Sequence, residues 1–297
     1  MKLPVTVIGG YLGAGKTTLI NSLLRHADGL RLAVLVNEFG ALAIDEDLIE
    51  AEGDGLMSIS GGCVCCAFGS DMIGVLEDIR DASPAFDHVL IEASGVALPA
   101  SIMTTVGLVA GFRPDATVVL ADAEQIRRNA KDRFLSDTVL RQLAQADILL
   151  LTKPDLVSPE GLQDVAAWLR EHAPQARQLH AAHGDIPKEA LLGAIPLPRR
   201  INAEGTSHAT FASCVLAPAG PVDVEALARS LAAEVGITRA KGYLRGTDGL
   251  YLVHVVGPRQ SVEKSGEDHP VGMVCIGPRD TFDEERLHDM LAGARLD

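Results

Sequence analysis

The chain has 297 residues, 47% hydrophobic and 22% charged, enough for two domains with proper cores. A formal charge of −14 argues against nucleic acid or an anionic membrane as a partner, since neither attracts an acidic surface. No apolar run approaches the roughly 18 residues of a membrane-spanning helix, and Met1-Lys2-Leu3-Pro4 leaves no room for a signal peptide, so a cytoplasmic protein is expected.

The first apolar run, residues 5–9, reads as a strand, and residues 9–18 follow it as GGYLGAGKTT. This is the pattern G-x-x-x-x-G-K-[ST], with Gly10, Gly15, Lys16 and Thr17 in the fixed places. Backbone N–H groups of such a loop wrap phosphate oxygens. The set expected at the phosphates is Gly10, Gly13, Ala14, Gly15, Lys16, Thr17 and Thr18, with Lys16 reaching the β and γ phosphates and Thr17 offering its hydroxyl to Mg²⁺. Leu19, Ile20, Leu23 and Leu24 recur at helical spacing, so a helix over 15–25 turns its positive dipole end toward the anion. A chance glycine loop would lack both the strand before it and the periodic helix after it.

Further strands are expected at 32–36, 57–60, 88–92, 116–121, 148–152 and 177–180, with helical patterns at 72–80, 136–145 and 158–172. Continuous apolar strands alternating with helices predict a mostly parallel sheet covered on both faces, an α/β P-loop NTPase domain over 1–195. After the strand at 32–36, Asn37-Glu38-Phe39-Gly40 reads as a loop that could bring the Glu38 oxygens toward the cysteines that follow, a surface glutamate being the competing reading. Gly61-Gly62-Cys63-Val64-Cys65-Cys66 then places three thiols within four residues. Deprotonated, Cys63, Cys65 and Cys66 suit a soft or borderline ion such as Zn²⁺; a redox pair and simple packing are the competing readings. The other two cysteines, Cys214 and Cys275, fall in the predicted second domain, so the cluster reads as an open, exchangeable site.

The strand over 88–92 ends in Glu92, followed by Ala93-Ser94-Gly95. Glu92 can hold Mg²⁺ through water and the Gly95 N–H can meet the γ phosphate, with Asp122 as a rival acid at the end of its own strand. Thr152-Lys153-Pro154-Asp155 resembles the base-reading motif of GTPases. A fixed Asp155 carboxylate accepts two hydrogen bonds from guanine that adenine cannot supply, and the Lys153 stem lies along the base. A strand-end Lys before a Pro-Asp turn is also common without any ligand.

The pattern breaks at 196–208, rich in proline and polar residues, which reads as a linker. Beyond it, over 209–297, come a strand (209–216), a helix opened by Pro221-Val222-Asp223 and running to about 235, strands at 237–244, 250–256 and 271–276, and a helix at 282–291. That order is most of a split βαβ layout, a smaller α+β domain of ferredoxin-like type. It carries 9 basic and 13 acidic residues, so it is expected to contact a protein partner or gate the metal site and not to bind nucleic acid.

GGYLGAGKTT, NEFG, the CVCC cluster after Gly-Gly, IEASG and TKPD occur in that order, and Thr238-Arg239-Ala240-Lys241-Gly242-Tyr243 adds an R-x-K-G signature. Together they resemble the CobW-type P-loop GTPases, metal-handling proteins related to the nickel-insertion GTPases, over nearly the whole chain. The resemblance implies a GTP hydrolase that delivers a divalent transition metal (zinc, cobalt, nickel or iron) to a client metalloprotein. Carried over by position, Glu38, Cys65 and Cys66 are metal ligands, Cys63 is a fourth or alternate ligand, and Asp45 is the switch acid. Lys16, Thr17, Glu92 and Asp45 then serve catalysis, and Gly95, Thr152, Lys153 and Asp155 join the P-loop in holding GTP. Two departures stand out: Ala41 replaces a further acid, and the linker carries only His208 where many members are histidine-rich, so high-capacity metal storage is not implied. No Ras-like glutamine stands beside Gly95, so slow Mg²⁺-dependent hydrolysis is expected without a client or a second subunit; a nucleotide- or metal-dependent homodimer is compatible with this. The rival readings are a small-molecule P-loop kinase with incidental cysteines, and a non-catalytic metal sensor or buffer with structural GTP.

Overall fold

The computed structural model describes residues 2–36, 70–192, 210–266 and 268–296. These divide into two compact units, Met1–Asp185 and Ile186–Asp297.

In the first unit the elements run β1 (Leu3–Gly10), α1 (Lys16–Arg25), β2 (Leu32–Val36), α2 (Ser70–Asp81), β3 (His88–Glu92), α3 (Pro99–Leu108), β4 (Phe112–Asp122), α4 (Ile126–Asn129), α5 (Ser136–Ala144), β5 (Ile148–Thr152), α6 (Pro159–His172) and β6 (Arg177–Ala181). All six strands are parallel, in the order β2-β3-β1-β4-β5-β6. Parallel strands are covered on both faces, which is why β3 and β5 are buried at every residue. Chain order reverses at β1: β2 and β3 lie on one side, β4 to β6 on the other. The crevice at the carboxyl ends of such strands is where open α/β sheets take ligands.

Two buried clusters clamp the sheet. One joins Val5 and Val7 of β1 to Leu76 and Ile79 of α2 and to Ile102 and Val106 of α3; the other joins Val119 and Leu149 to Val139 and Leu143 of α5 and to Val165 and Leu169 of α6. α1 buries Leu19, Ile20 and Leu23. At about 1.5–3 kcal/mol each, those three side chains fix the helix, and with it the loop that precedes it. The interior of the sheet also holds polar groups. The Thr6 hydroxyl lies 2.8 Å from His88 Nε2 and donates to Asp115 at 3.3 Å, while Arg113 pairs with the same carboxylate at 3.5 Å. Asp115 is an extra residue in β4, because Val5 faces Pro114 and Thr6 faces Ala116.

The second unit holds α7 (Lys188–Leu192), β7 (Phe211–Leu216), α8 (Val224–Ala233), β8 (Arg239–Gly246), β9 (Gly249–Val256), β10 (Arg259–Lys264), β11 (Gly272–Pro278) and α9 (Glu284–Gly293). Its sheet is antiparallel, ordered β10-β9-β8-β11-β7. β7 and β8 therefore run parallel with β11 between them, which with α8 makes one split βαβ unit. Leu227 and Leu231 of α8 and Leu287 and Leu291 of α9 pack with Leu216, Leu244, Val253 and Met273 of the sheet. Asp223 and Asp283 cap the two helices, accepting from Ala226 N at 2.9 Å and Arg286 N at 3.0 Å.

Several elements differ from the sequence expectation. α3 is absent from that expectation because its sequence, PASIMTTVGL, holds no charged residue and shows little periodicity. β10, RQSVEK, is an edge strand with alternating exposed residues and no apolar signal, although the Gly257-Pro258 turn before it marks a hairpin. α4 and α7 are one-turn helices. β4 begins at Phe112, four residues early, running through Pro114. The strand expected at 57–60 and the linker at 196–208 lie outside the described residues. Among the described residues no helix is long and apolar enough to cross a membrane.

Candidate functional site

Polar side chains collect at the carboxyl end of the parallel sheet, around the loop leaving β1. Gly10 has φ +131°, and a Cβ there would lie 2.6 Å from the Leu120 carbonyl oxygen, so both conformation and space demand glycine. Gly13 and Gly15 have φ +75° and +97° with open space where a Cβ would stand; there the backbone conformation alone favours glycine. The loop is closed on itself by Ala14 N donating to Tyr11 O at 3.1 Å.

Lys16 opens α1 and folds back over the loop. Its ammonium is buried and donates to the carbonyls of Gly10 at 3.1 Å and Tyr11 at 3.5 Å. Beside it, the Thr17 hydroxyl donates to Glu92 Oε1 at 3.4 Å. β3 delivers Glu92 to that point, and Ala93 N donating to Ile8 O at 2.8 Å keeps β3 in register with β1 just past the carboxylate. An ammonium, a hydroxyl and a carboxylate thus converge at the helix N-terminus, where the dipole is positive. That donor set fits a triphosphate with Mg²⁺: Thr17 is a hard oxygen ligand, and Glu92 suits a metal-bound water.

Gly95 lies against the loop, since a Cβ on it would come 2.5 Å from Leu12 Cδ2 and 2.9 Å from Leu12 N. Gln142, buried on α5, donates through Nε2 to the carbonyls of Gly95 at 3.1 Å and Ala97 at 2.8 Å. Sequence reasoning missed this residue. Its only signal is a glutamine on the apolar side of a helix.

At the end of β5 the Thr152 hydroxyl donates to Ala14 O at 2.9 Å. Lys153 follows with φ +53°, and its ammonium pairs with Asp122 at 2.7 Å. Asp122 also accepts from Glu124 N at 2.9 Å and Gln125 N at 3.2 Å. The rival acid therefore positions Lys153 and its own turn, whereas Glu92 faces Thr17. Asp155 sits exposed in the 3₁₀ turn Pro154–Leu156. The turn after β6 also reaches the site: Gly184, φ +73°, packs so that a Cβ would lie 3.1 Å from Thr18 O on α1. Sequence reasoning missed this turn as well; the His183-Gly184 pair after a strand is its signal.

Glu38, Asp45, Cys63, Cys65 and Cys66 lie outside the described residues. Among the described residues no group of three or more His, Cys, Asp or Glu side chains could hold a metal.

Comparison with known proteins adds a second line of observation. Residues 4–180 match the CobW/HypB/UreG nucleotide-binding domain, and residues 211–295 match the cobalamin synthesis protein cobW C-terminal domain. The chain is 28% identical to a zinc chaperone CobW from a Sinorhizobium species, covering 97% of this chain and 94% of that one. It is 31% identical to the zinc chaperone CobW of Pseudomonas aeruginosa over 70% of this chain and 62% of the relative. It is 35% identical to the zinc chaperone YeiR of Escherichia coli over 67% and 60%. In these last two pairs the match spans less than two thirds of the relative. Among solved structures, the zinc-bound YjiA GTPase of Escherichia coli aligns over the full length of both chains at 24% identity and a TM-score of 0.49.

Proposed function

The chain belongs to the CobW/HypB/UreG nucleotide-binding family, and on that premise we propose that it is a GTP-hydrolysing metallochaperone, which binds a divalent transition metal and passes it to a client protein. The observation that carries the nucleotide half is the convergence of Lys16, Thr17 and Glu92 at the start of α1. Relatives named zinc chaperones carry the metal half, with zinc the first cargo to test.

In this reading the Lys16 ammonium turns from the Gly10 and Tyr11 carbonyls to β and γ phosphate oxygens. Thr17 would hold Mg²⁺, which when bound would neutralise charge developing on the phosphates. Glu92, which accepts from the Thr17 hydroxyl, would hold that ion through water. Gly95, seated on the loop, presents its N–H to the γ phosphate, and Gln142 fixes that segment from behind. Asp155 reads guanine, and the Lys153 stem, its ammonium paired with Asp122, lies along the base in this reading. Asp45 is the switch acid, and Glu38, Cys63, Cys65 and Cys66 are the cargo ligands. Nucleotide state and metal affinity are then reciprocally linked. Hydrolysis is slow without a client, and the protein acts in the cytoplasm.

The test is phosphate release from GTP and ATP with Mg²⁺, with and without Zn²⁺, together with a titration of Zn²⁺ in the presence of a non-hydrolysable GTP analogue. Guanine-selective turnover and a metal affinity that changes with nucleotide support the proposal. Turnover blind to the base, or transfer of the phosphoryl group to a metabolite, would replace it with a kinase.

A further inference from the structure

We propose that Cys214 and Cys275 form a reversible disulfide across the C-terminal sheet, a thiol modification site independent of the cysteine cluster at 63–66 and of the function proposed above. Cys214 on β7 and Cys275 on β11 are directly opposite in the antiparallel register. Partners in that position share one face of the sheet, and both side chains belong to the core under α8 and α9. Both are free thiols. They are the chain's only cysteines outside the 63–66 cluster, and the fold sets them face to face from the two ends of the domain's sequence.

Directly opposed residues in antiparallel strands have Cα atoms about 4.5–5.5 Å apart, inside the range of about 4.4–6.8 Å that disulfides span. Cβ atoms of such pairs stand about 4.5–5.5 Å apart, wider than the mean of about 3.8 Å across a disulfide. Closing the bond must draw the two strands together, and a bond made that way is readily reduced, a property of regulatory disulfides. Packing alone accounts for the burial of two small side chains but not for their facing each other.

The pair is also chemically unequal. A hydrogen bond from the Cys275 thiol holds Cys214 below the ordinary thiol range, against opposition from burial and from Glu284. That same bond, together with burial, pushes Cys275 well up. Cys214 is therefore the sulfur that ionises first, and the thiolate is the nucleophile. It also lies on β7, an edge strand of this sheet, where local opening gives a small oxidant access.

With a hydroperoxide as oxidant the steps balance. The Cys214 thiolate attacks one peroxide oxygen and the O–O bond breaks. For hydrogen peroxide, hydroxide leaves, takes a proton and becomes water, and Cys214 becomes a sulfenic acid. The Cys275 sulfur, losing its proton, then attacks Cys214 Sγ. The S–O bond breaks, the hydroxyl departs with that proton as water, and the S–S bond forms. Two thiols have lost two electrons and two protons, and the peroxide has become two waters. A small dithiol reverses the bond by exchange. The closed bond ties β7 to β11 and encloses α8, β8, β9 and β10 in a covalent loop, which restricts the unfolded chain.

The experiment uses the reduced full chain treated with graded hydrogen peroxide, blocked with N-ethylmaleimide under denaturing conditions, digested and mapped by mass spectrometry. The expected result is a peptide joining Cys214 to Cys275 that disappears after dithiothreitol. Oxidised protein should unfold at a higher temperature than reduced protein, a rise that is absent from Cys214→Ser and Cys275→Ser. The mapping of the unaltered chain needs neither variant to fold. The proposal is overturned if both thiols are recovered fully blocked, if each is converted separately to sulfinic acid, or if either pairs with Cys63, Cys65 or Cys66 instead.

Discussion

Thr152 and Ala14, 138 residues apart in sequence, are joined by a 2.9 Å hydrogen bond from the Thr152 hydroxyl to the Ala14 carbonyl. The bond fastens the middle of the phosphate loop to the end of β5, from which Lys153 and Asp155 extend. The expected phosphate-holding and base-reading segments are thus parts of one rigid frame. Thr152→Val keeps the shape and removes the donor, leaving a buried carbonyl without that partner. It should cost about 1–3 kcal/mol of stability and weaken GTP binding, whereas Thr152→Ser should stay near the parent. Urea denaturation with and without GTP checks both.

The positions of Lys16 and Thr17 separate two kinds of loss. Lys16→Ala removes the ammonium held by Gly10 and Tyr11. It should abolish phosphate release while far-UV circular dichroism is unchanged, since the charge acts on the phosphates more than on the fold. Thr17→Ala should leave nucleotide binding measurable but raise the Mg²⁺ concentration needed for turnover. Unchanged hydrolysis in Lys16→Ala would refute the assignment of the site.

Asp155→Asn turns an acceptor pair into one acceptor and one donor. The guanine N1–H and amine then lose a charge-assisted pair, worth roughly 1.5–3 kcal/mol or about 10- to 100-fold in affinity. Titration with fluorescent GTP and ATP measures it. Asp155 is exposed in its turn, so a loss confined to guanine nucleotides is expected, with no change in thermal stability.

Legibility in the sequence followed how local each signal was. The phosphate loop, Glu92 and the Thr152–Asp155 turn sit at the ends of continuous apolar strands, so strand, loop and chemistry could be read together. Gln142 could not be read in the same way. Its role depends on α5 passing behind Gly95, a relation set by packing between elements far apart in sequence. Asp122 rivals Glu92 in the sequence because both end apolar strands that flank β1; their partners separate them, Glu92 facing Thr17 and Asp122 pairing with Lys153. β10 escaped because an edge strand needs no apolar face, and α3 because its exposed side carries Ser101, Thr104, Gly107 and Leu108 and no charge, so no strongly polar stripe marks the helical period.

The cysteine cluster gives a prediction in which pH counts the ligands. A thiol binds metal only after losing its proton, and an unperturbed thiol titrates near about 8.5. Below that value each ligating thiol releases one proton on binding, so affinity falls about tenfold per pH unit for each. With Cys63, Cys65 and Cys66 all ligating, the logarithm of Zn²⁺ affinity should fall with a slope of about three as pH drops from about 8 to about 6, and Cys63→Ser should reduce the slope to about two. If Cys63 is an alternate ligand, the parent slope is already about two and the variant leaves it unchanged. Cys65→Ala with Cys66→Ala should keep GTP binding and lose tight metal together with the thiolate-to-cobalt absorption of the Co²⁺ form. In the parent that band should shift when a non-hydrolysable GTP analogue and Mg²⁺ are added, as the reciprocal linkage of nucleotide and metal requires. A double variant with parent metal affinity, or a cobalt spectrum indifferent to nucleotide, would detach the metal from the GTP cycle and leave a plain GTPase.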